Sequence, residues 1–180
     1  MGRPKALLRW RGRPFVHHAV AQARAAGATT VIVVEGAVAL PGEALGGASR
    51  VRNEAWAQGP LGSVQVGLAA AREACPAAEA IVVVAVDRPH VEASTLRALA
   101  AAVDDDAQAI WQPRYQGRRG HPIVYPVDLV ARLCALRPPQ TPRTLLAEPQ
   151  VAARRRQIDV DDAAVLDNLD RPEDLARLPD

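Results

Sequence analysis

Few residues in this chain have the type and setting to do chemistry. Lys5 is the only lysine beside 21 arginines. A coding drift towards arginine explains that ratio, and it should have replaced any lysine kept only for surface charge. Lysine is a compact point charge on a flexible stem and does not exchange freely with arginine at a phosphate. Lys5 therefore reads as a phosphate ligand or as one exposed lysine that survived by chance. Asp87, in VAVDRPHV (84–91), directly follows an apolar run. A carboxylate there is costly without a cation or hydrogen-bond partner. Hard oxygen ligands at a strand end suit Mg²⁺, which takes one or two carboxylates plus substrate phosphates. The other reading of Asp87 is a turn cap, since Pro89 follows closely.

Three more segments carry candidates. In DNLDRPEDL (167–175), Pro172, Glu173 and Asp174 make a helix start, because acidic groups favour the positive end of the helix dipole. That leaves Asn168 and Asp170 in the preceding loop as a second set of metal ligands. YQGRRGHPIVY (115–125) gathers Arg118, Arg119, Gly120 and His121 in one tight loop. Its glycines permit close backbone approach, and its arginines can grip a phosphate or simply face water. In RNEAWAQGPLGSVQVGL (52–68), Asn53, Trp56, Gly59 and Ser63 lead into a helix N-terminus, where backbone N–H groups favour anions. Ser63 reads first as an ordinary helix cap. His90, close to Asp87, ranks only as a neighbour of such a site.

These groups need elements to position them. Helices are expected over 15–26, 61–74, 92–103, 127–136, 142–147 and 172–178. TTVIVV (29–34) and AIVVVAV (80–86) are continuous apolar runs, the pattern of strands covered on both faces. Shorter strands are expected at 50–53, 107–115, 121–125 and 155–160. The run Arg154–Arg156 suits an edge strand guarded by charge. Helix and strand in alternation mean an α/β fold with a largely parallel sheet. Ligands in such folds sit beyond the carboxyl ends of the strands, which is where Asp87 falls.

Composition narrows the field. The 180 residues suit one domain, and 49% hydrophobic content is too high for a disordered chain. No apolar run approaches the roughly 20 residues of a membrane span. Two cysteines make neither a disulfide framework nor a zinc site. The basic start has no apolar core of a secretion signal, so the expected location is the cytoplasm. A net charge of +2 gives no footprint for nucleic acid.

Taken in order, the segments resemble the MobA-like NTP transferase family, in particular its molybdenum cofactor cytidylyltransferase type. MGRPKALL (1–8) is similar to the tail of a family loop of the form LAAGxSxRMGxxK. RNEAWAQGPLGSVQVGL, VAVDRPHV, YQGRRGHPIVY and DNLDRPEDL resemble four further family segments in the same order. The resemblance implies a Rossmann-like, three-layer nucleotidyltransferase fold with a mostly parallel sheet. It implies transfer of CMP from CTP to molybdopterin, with release of pyrophosphate and dependence on Mg²⁺. It matches Lys5 and Asp87 to catalysis, with Lys5, Asn53 and Ser63 at the nucleotide. Arg118, Gly120 and His121 fall at the acceptor, and Asp87, Asp170 and Asn168 at the metal. The partners implied are CTP or another NTP, a phosphorylated pterin, and a molybdoenzyme or its maturation factor, with no nucleic acid and no membrane.

Two departures qualify the match. Arg88 stands where many members carry glutamine. The sequence also opens inside the family loop, so the first strand and the Gly-rich turn are absent. The expectation is a single domain over 1–180 that is N-terminally truncated, with about 10–15 residues of strand and loop encoded upstream. The competing expectations are an inactive homologue that binds pterin or a partner enzyme, and a related transferase using GTP or another phosphorylated acceptor.

Overall fold

The computed structural model describes residues 4–179; the first three residues of the MGRPKALL segment lie outside them. A 3₁₀ turn at Lys5–Leu7 leads into a small hairpin of β1 (Arg9–Trp10) and β2 (Arg13–Pro14). α1 (Phe15–Ala25) follows, burying Phe15, Val16, Val20 and Ala23 at helical spacing, and Gly27 ends it at φ +78°. β3 (Ile32–Glu35) and β4 (Ser49–Arg52) pair in parallel. α2 (Pro60–Ala74) carries proline at its first position. β5 (Ala80–Val83) and α3 (Ala93–Asp105) come next, then β6 (Ile110–Tyr115), β7 (Arg118–Arg119) and β8 (Ile123–Pro126). α4 (Val130–Ala135), α5 (Pro142–Leu146), α6 (Pro149–Ala152) and β9 (Arg155–Asp159) follow, and a 3₁₀ turn at Pro172–Arg177 stands where a last helix was expected.

The α/β, Rossmann-like layering agrees with the sequence reading, and the strands are mixed in direction. β3–β4 and β6–β9 run parallel, while β5–β8, β8–β6 and β6–β7 run antiparallel. Among the described residues the strands fall into separate sheets. β3 pairs only with β4, and β5 only with β8, although α2 packs against β3, β4 and β5 alike. The apolar runs TTVIVV and AIVVVAV read as fully covered strands, and here the structure differs. Ile32–Val34 and Ala80–Val83 are only half-buried, because each strand has a neighbour on one side alone. For the same reason β5 ends at Val83, three residues short of the apolar run's end.

The main core lies between α2, β5, β8 and α4, and includes Leu68, Ile110, Tyr125, Leu129 and Leu133. A second cluster joins Ala6 and Leu7 to Val16, Leu45, Val33 and Val86. It brings the Lys5 turn and the exit of β5 under one apolar roof.

The β8 register settles where the Gly120 loop goes. Val83 of β5 faces Ile123 of β8, so residues 120–122 lie beside the exit of β5. Gly120 is buried there, and its N–H donates to Pro113 O at 2.8 Å. A Cβ on Gly120 would stand 2.5 Å from the Val165 carbonyl oxygen and 2.7 Å from its Cβ. The nearest of these atoms is backbone and the next is a Cβ fixed to it, so neither can yield without moving the chain. Gly120→Ala should therefore cost about 2 kcal/mol by chemical denaturation, and an unchanged midpoint would show that the loop is not held against Val165.

A candidate active site at the strand ends

Parallel pairing puts the carboxyl ends of β3 and β4 on one side, where Gly36 and Asn53 follow. Asn53 is buried at 3% exposure and works as a bracket. Its side-chain amide donates to Ser63 Oγ at 3.0 Å, and its Oδ1 accepts from Ala55 N–H at 3.0 Å. Ser63 is not the helix cap that its sequence setting suggested. The cap position is Gly59, and Ser63 lies inside the first turn of α2 as the acceptor for Asn53. Pro60 at the first helical position carries no N–H, so one of the unpaired donors of the helix start is absent. Trp56 stands beside this loop with nearly half its surface exposed, its Cβ 3.1 Å from the position a Gly36 side chain would take.

Asp87 lies in the turn after β5. Arg88 Nη1 donates to its Oδ1 at 3.0 Å, and both side chains are more than four-fifths buried. Gln22, buried on α1, holds the turn from behind by donating to the carbonyls of Arg88 and Val91 at 2.9 and 3.1 Å.

The segment 162–170 completes the site. Asp162 is 5% exposed and fully used. It accepts from Glu92 N–H at 2.9 Å, Thr95 Oγ at 2.8 Å and Ala164 N–H at 3.1 Å, which ties the segment to the first turn of α3. Further along, Val165 O accepts from His121 N–H at 2.9 Å, and Leu169 N–H donates to Asp87 O at 3.2 Å. Leu169 itself is fully buried. His90 Nε2 and Asp167 Oδ2, 2.8 Å apart, add a side-chain link. At the segment's end Asp170 pairs with Lys5 and accepts from Asn168. Asp174 accepts from the N–H groups of Asp170 and Arg171 at 2.9 and 2.8 Å, which agrees with its expected place at a helical start.

Lys5, Asp87, Asn168 and Asp170, separated by up to 165 positions, are thus brought to one end of the sheet. Gly120 and His121 join them through Val165. Asn53 and Ser63 form their own unit at the β4 exit. Arg118 stands on the exposed hairpin strand opposite Tyr115. Among the described residues no group of three or more His, Cys, Asp or Glu is arranged around a common point for a metal. The available oxygen donors are two carboxylates and an amide, a hard set that fits a magnesium-type ion. Two clefts, of about 540 and 600 Å³, flank the N-terminal hairpin rather than Asp87; Trp10, His18 and His90 line the first.

The sequence reading missed Gln22, Asp162 and the His90–Asp167 link. Gln22 carries a signal only in retrospect, as a polar residue within the apolar stripe of α1. Asp162 sits in a run of acids, VDD, that reads as solvated surface.

His121 occupies a positive, desolvated setting. Burial first, then the charges of Arg88 and Arg143, push its pKa down to about 4. Its Nδ1 is buried without a partner, as is Arg88 Nε.

The MobA-like NTP transferase domain family matches residues 1–157. No curated protein sequence matches the chain. Among solved structures, Rv0371C of Mycobacterium tuberculosis H37Rv in complex with manganese is 26% identical. It covers 98% of this chain and 91% of its own, at a TM-score of 0.75. A nucleotidyl transferase from Methanothermobacter thermautotroptrophicus (Mth528) is 25% identical, covering 96% and 82%, at 0.76. A CMP:2-keto-3-deoxy-manno-octonic acid synthetase complexed with CTP shares the fold at 14% identity, covering 96% and 89%, at 0.66.

The His121 environment has a measurable consequence. Its folded-state pKa lies below the unfolded value of 6.5, so below pH 6.5 the unfolded chain takes up a proton that the folded chain refuses. Stability held at neutral pH is then lost between about pH 6.5 and 4, by roughly 2–3 kcal/mol. Urea denaturation across that range should show the slope in the wild type and its reduction in His121→Gln; equal slopes would contradict it.

Proposed function

This chain belongs to the MobA-like NTP transferase family, and from that premise we propose that it transfers CMP from CTP to molybdopterin. The coarser statement stands on family and fold together: it is a nucleotidyltransferase. The observation that supports transfer chemistry here is that Lys5, Asn168 and Asp170 form one linked group whose segment is tied to the Asp87 turn by the Leu169 N–H to Asp87 O bond; the choice of CTP and a pterin acceptor rests on the resemblance of the YQGRRGHPIVY segment.

In this reading an oxygen of the pterin's terminal phosphate attacks the α-phosphorus of CTP in line. The bond from that phosphorus to the bridging oxygen breaks, and pyrophosphate leaves with the bonding electrons. Such transfer depends on positioning and charge neutralisation, with little covalent chemistry from the protein. Lys5 supplies a mobile positive charge to the triphosphate. Asn53 and Ser63 shape the loop on the base side. Gly120 and His121 line the acceptor side, with Arg118 at its rim to draw in an anionic substrate. His121, neutral at pH 7, offers a hydrogen bond without adding charge. Asp87 and Asp170, with Asn168 beside them, are the donors that would hold Mg²⁺. That ion, when bound, neutralises charge on the phosphates. The mycobacterial relative's manganese complex supports a divalent cation here, and the CTP complex of the octonic acid synthetase supports an NTP substrate. A cytoplasmic location follows from the chemistry proposed; among the described residues no helix is long and apolar enough to cross a membrane.

The protein should release pyrophosphate from CTP in the presence of molybdopterin and Mg²⁺. If it binds pterin but transfers nothing, the binding-only reading replaces this one. A panel of CTP, GTP, UTP and ATP tests the base. Asp87→Asn should lower kcat by about 10²–10³-fold; wild-type turnover would remove Asp87 from the site.

A further inference from the structure

Both carboxylates assigned to the cation are already engaged by basic side chains. Asp170 is paired with Lys5, and Asp87 with Arg88. The Arg88–Asp87 pair is the more informative, because it is desolvated and incomplete. Its side chains are 15% and 19% exposed. Arg88 uses Nη1 on Asp87, while its Nε is buried with no hydrogen-bond partner. A guanidinium normally spends its donors in a fork on carboxylate or phosphate, and an unspent buried donor calls for an explanation. The backbone around it is fixed, since Gln22 holds the Arg88 carbonyl. Only the side chain is free to change partner.

We propose that Arg88 is a resident counter-ion for Asp87: it competes with the divalent cation for that carboxylate and passes to a substrate phosphate when the cation binds. This rests on the reading of Asp87 as a cation-holding residue. The physics is an exchange of partners. Without substrate, Arg88 cancels the charge of a largely buried carboxylate that would otherwise be costly. With cation and phosphates together, Asp87 meets the cation and the guanidinium meets the phosphate. Neither carboxylate nor arginine is left bare in either state. A cation arriving alone must displace Arg88 with no anion to receive it, so cation and nucleotide should each favour the other's binding, reciprocally. Arg88 is thereby a positioning residue with a specific sign of effect. Removing it should strengthen the binding of cation alone, which loss of a merely structural contact would not do.

The test is Mn²⁺ binding to the nucleotide-free 180-residue chain, followed by electron paramagnetic resonance of free Mn²⁺. Arg88→Gln should bind Mn²⁺ about fivefold more tightly than wild type, and addition of CTP should tighten Mn²⁺ binding less than in wild type. Arg88→Lys, which keeps the charge, should stay close to wild type. Thermal melts establish that each variant is folded; should Arg88→Gln not fold, Arg88→Met takes its place. Unchanged or weaker Mn²⁺ binding by the folded neutral variant overturns the proposal. Asp87→Asn separates the two levels: it should lose Mn²⁺ binding, and if it does not, the assignment of Asp87 to the cation falls and the counter-ion proposal with it.

Discussion

The carboxylate of Asp162 is the contact on which assembly of the site depends. It is buried and accepts three hydrogen bonds, two of them from the first turn of α3. A buried carboxylate is tolerated only when its oxygens are hydrogen-bonded in this way, and once satisfied it fixes its own chain segment. From that anchor the chain has eight residues in which to reach Asp170. Within them it accepts from His121 N–H and donates to the Asp87 carbonyl. The Gly120–His121 loop, the Asp87 turn and Asp170 are therefore held by one strap. Substitutions at Asp162 should disturb all three together, although it lies outside the reactive cluster.

Much of the fold was legible in the sequence, because periodicity and punctuation agree locally. Phe15, Val16, Val20 and Ala23 recur at helical spacing and end at Gly27, and the helix they mark runs as read. The burial of TTVIVV and AIVVVAV was not legible, since an apolar run reports what a strand can pack against and not whether its second neighbour is present. Ser63 misled because a serine near a helix start is a common cap, whereas here the helix begins three residues earlier with Gly59 at the cap position. The candidate residues Lys5, Asp87, Asn168 and Asp170 were visible by type. Their meeting was not, because the Leu169 N–H and Asp162 contacts that bring it about involve backbone and a surface-like acid. Their roles rest on the proposed reading; their proximity is structural.

The pairing geometry of the basic residues bears on the one lysine among 21 arginines. Two arginines make forks on carboxylates. Arg114 meets both oxygens of Asp159 at 2.6 Å, and Arg154 meets both oxygens of Asp128 at 2.7 and 2.8 Å. Both clamps are away from the Asp87 turn and fasten β6 to β9 and the start of β9 to the β8–α4 turn. At the candidate site the pairs are of another kind. Lys5 reaches Asp170 with a single ammonium, and Arg88 spends one Nη on Asp87. A forked pair loses two aligned bonds when it opens, and a point contact loses one. An arginine at position 5 could grip Asp170 as Arg114 grips Asp159 and would be slow to give it up. An ammonium can exchange a carboxylate for a phosphate oxygen by a small swing of its stem. On the proposed reading, the point contacts of Lys5 and Arg88 suit pairs that open when substrate binds, and the forks of Arg114 and Arg154 suit pairs that hold.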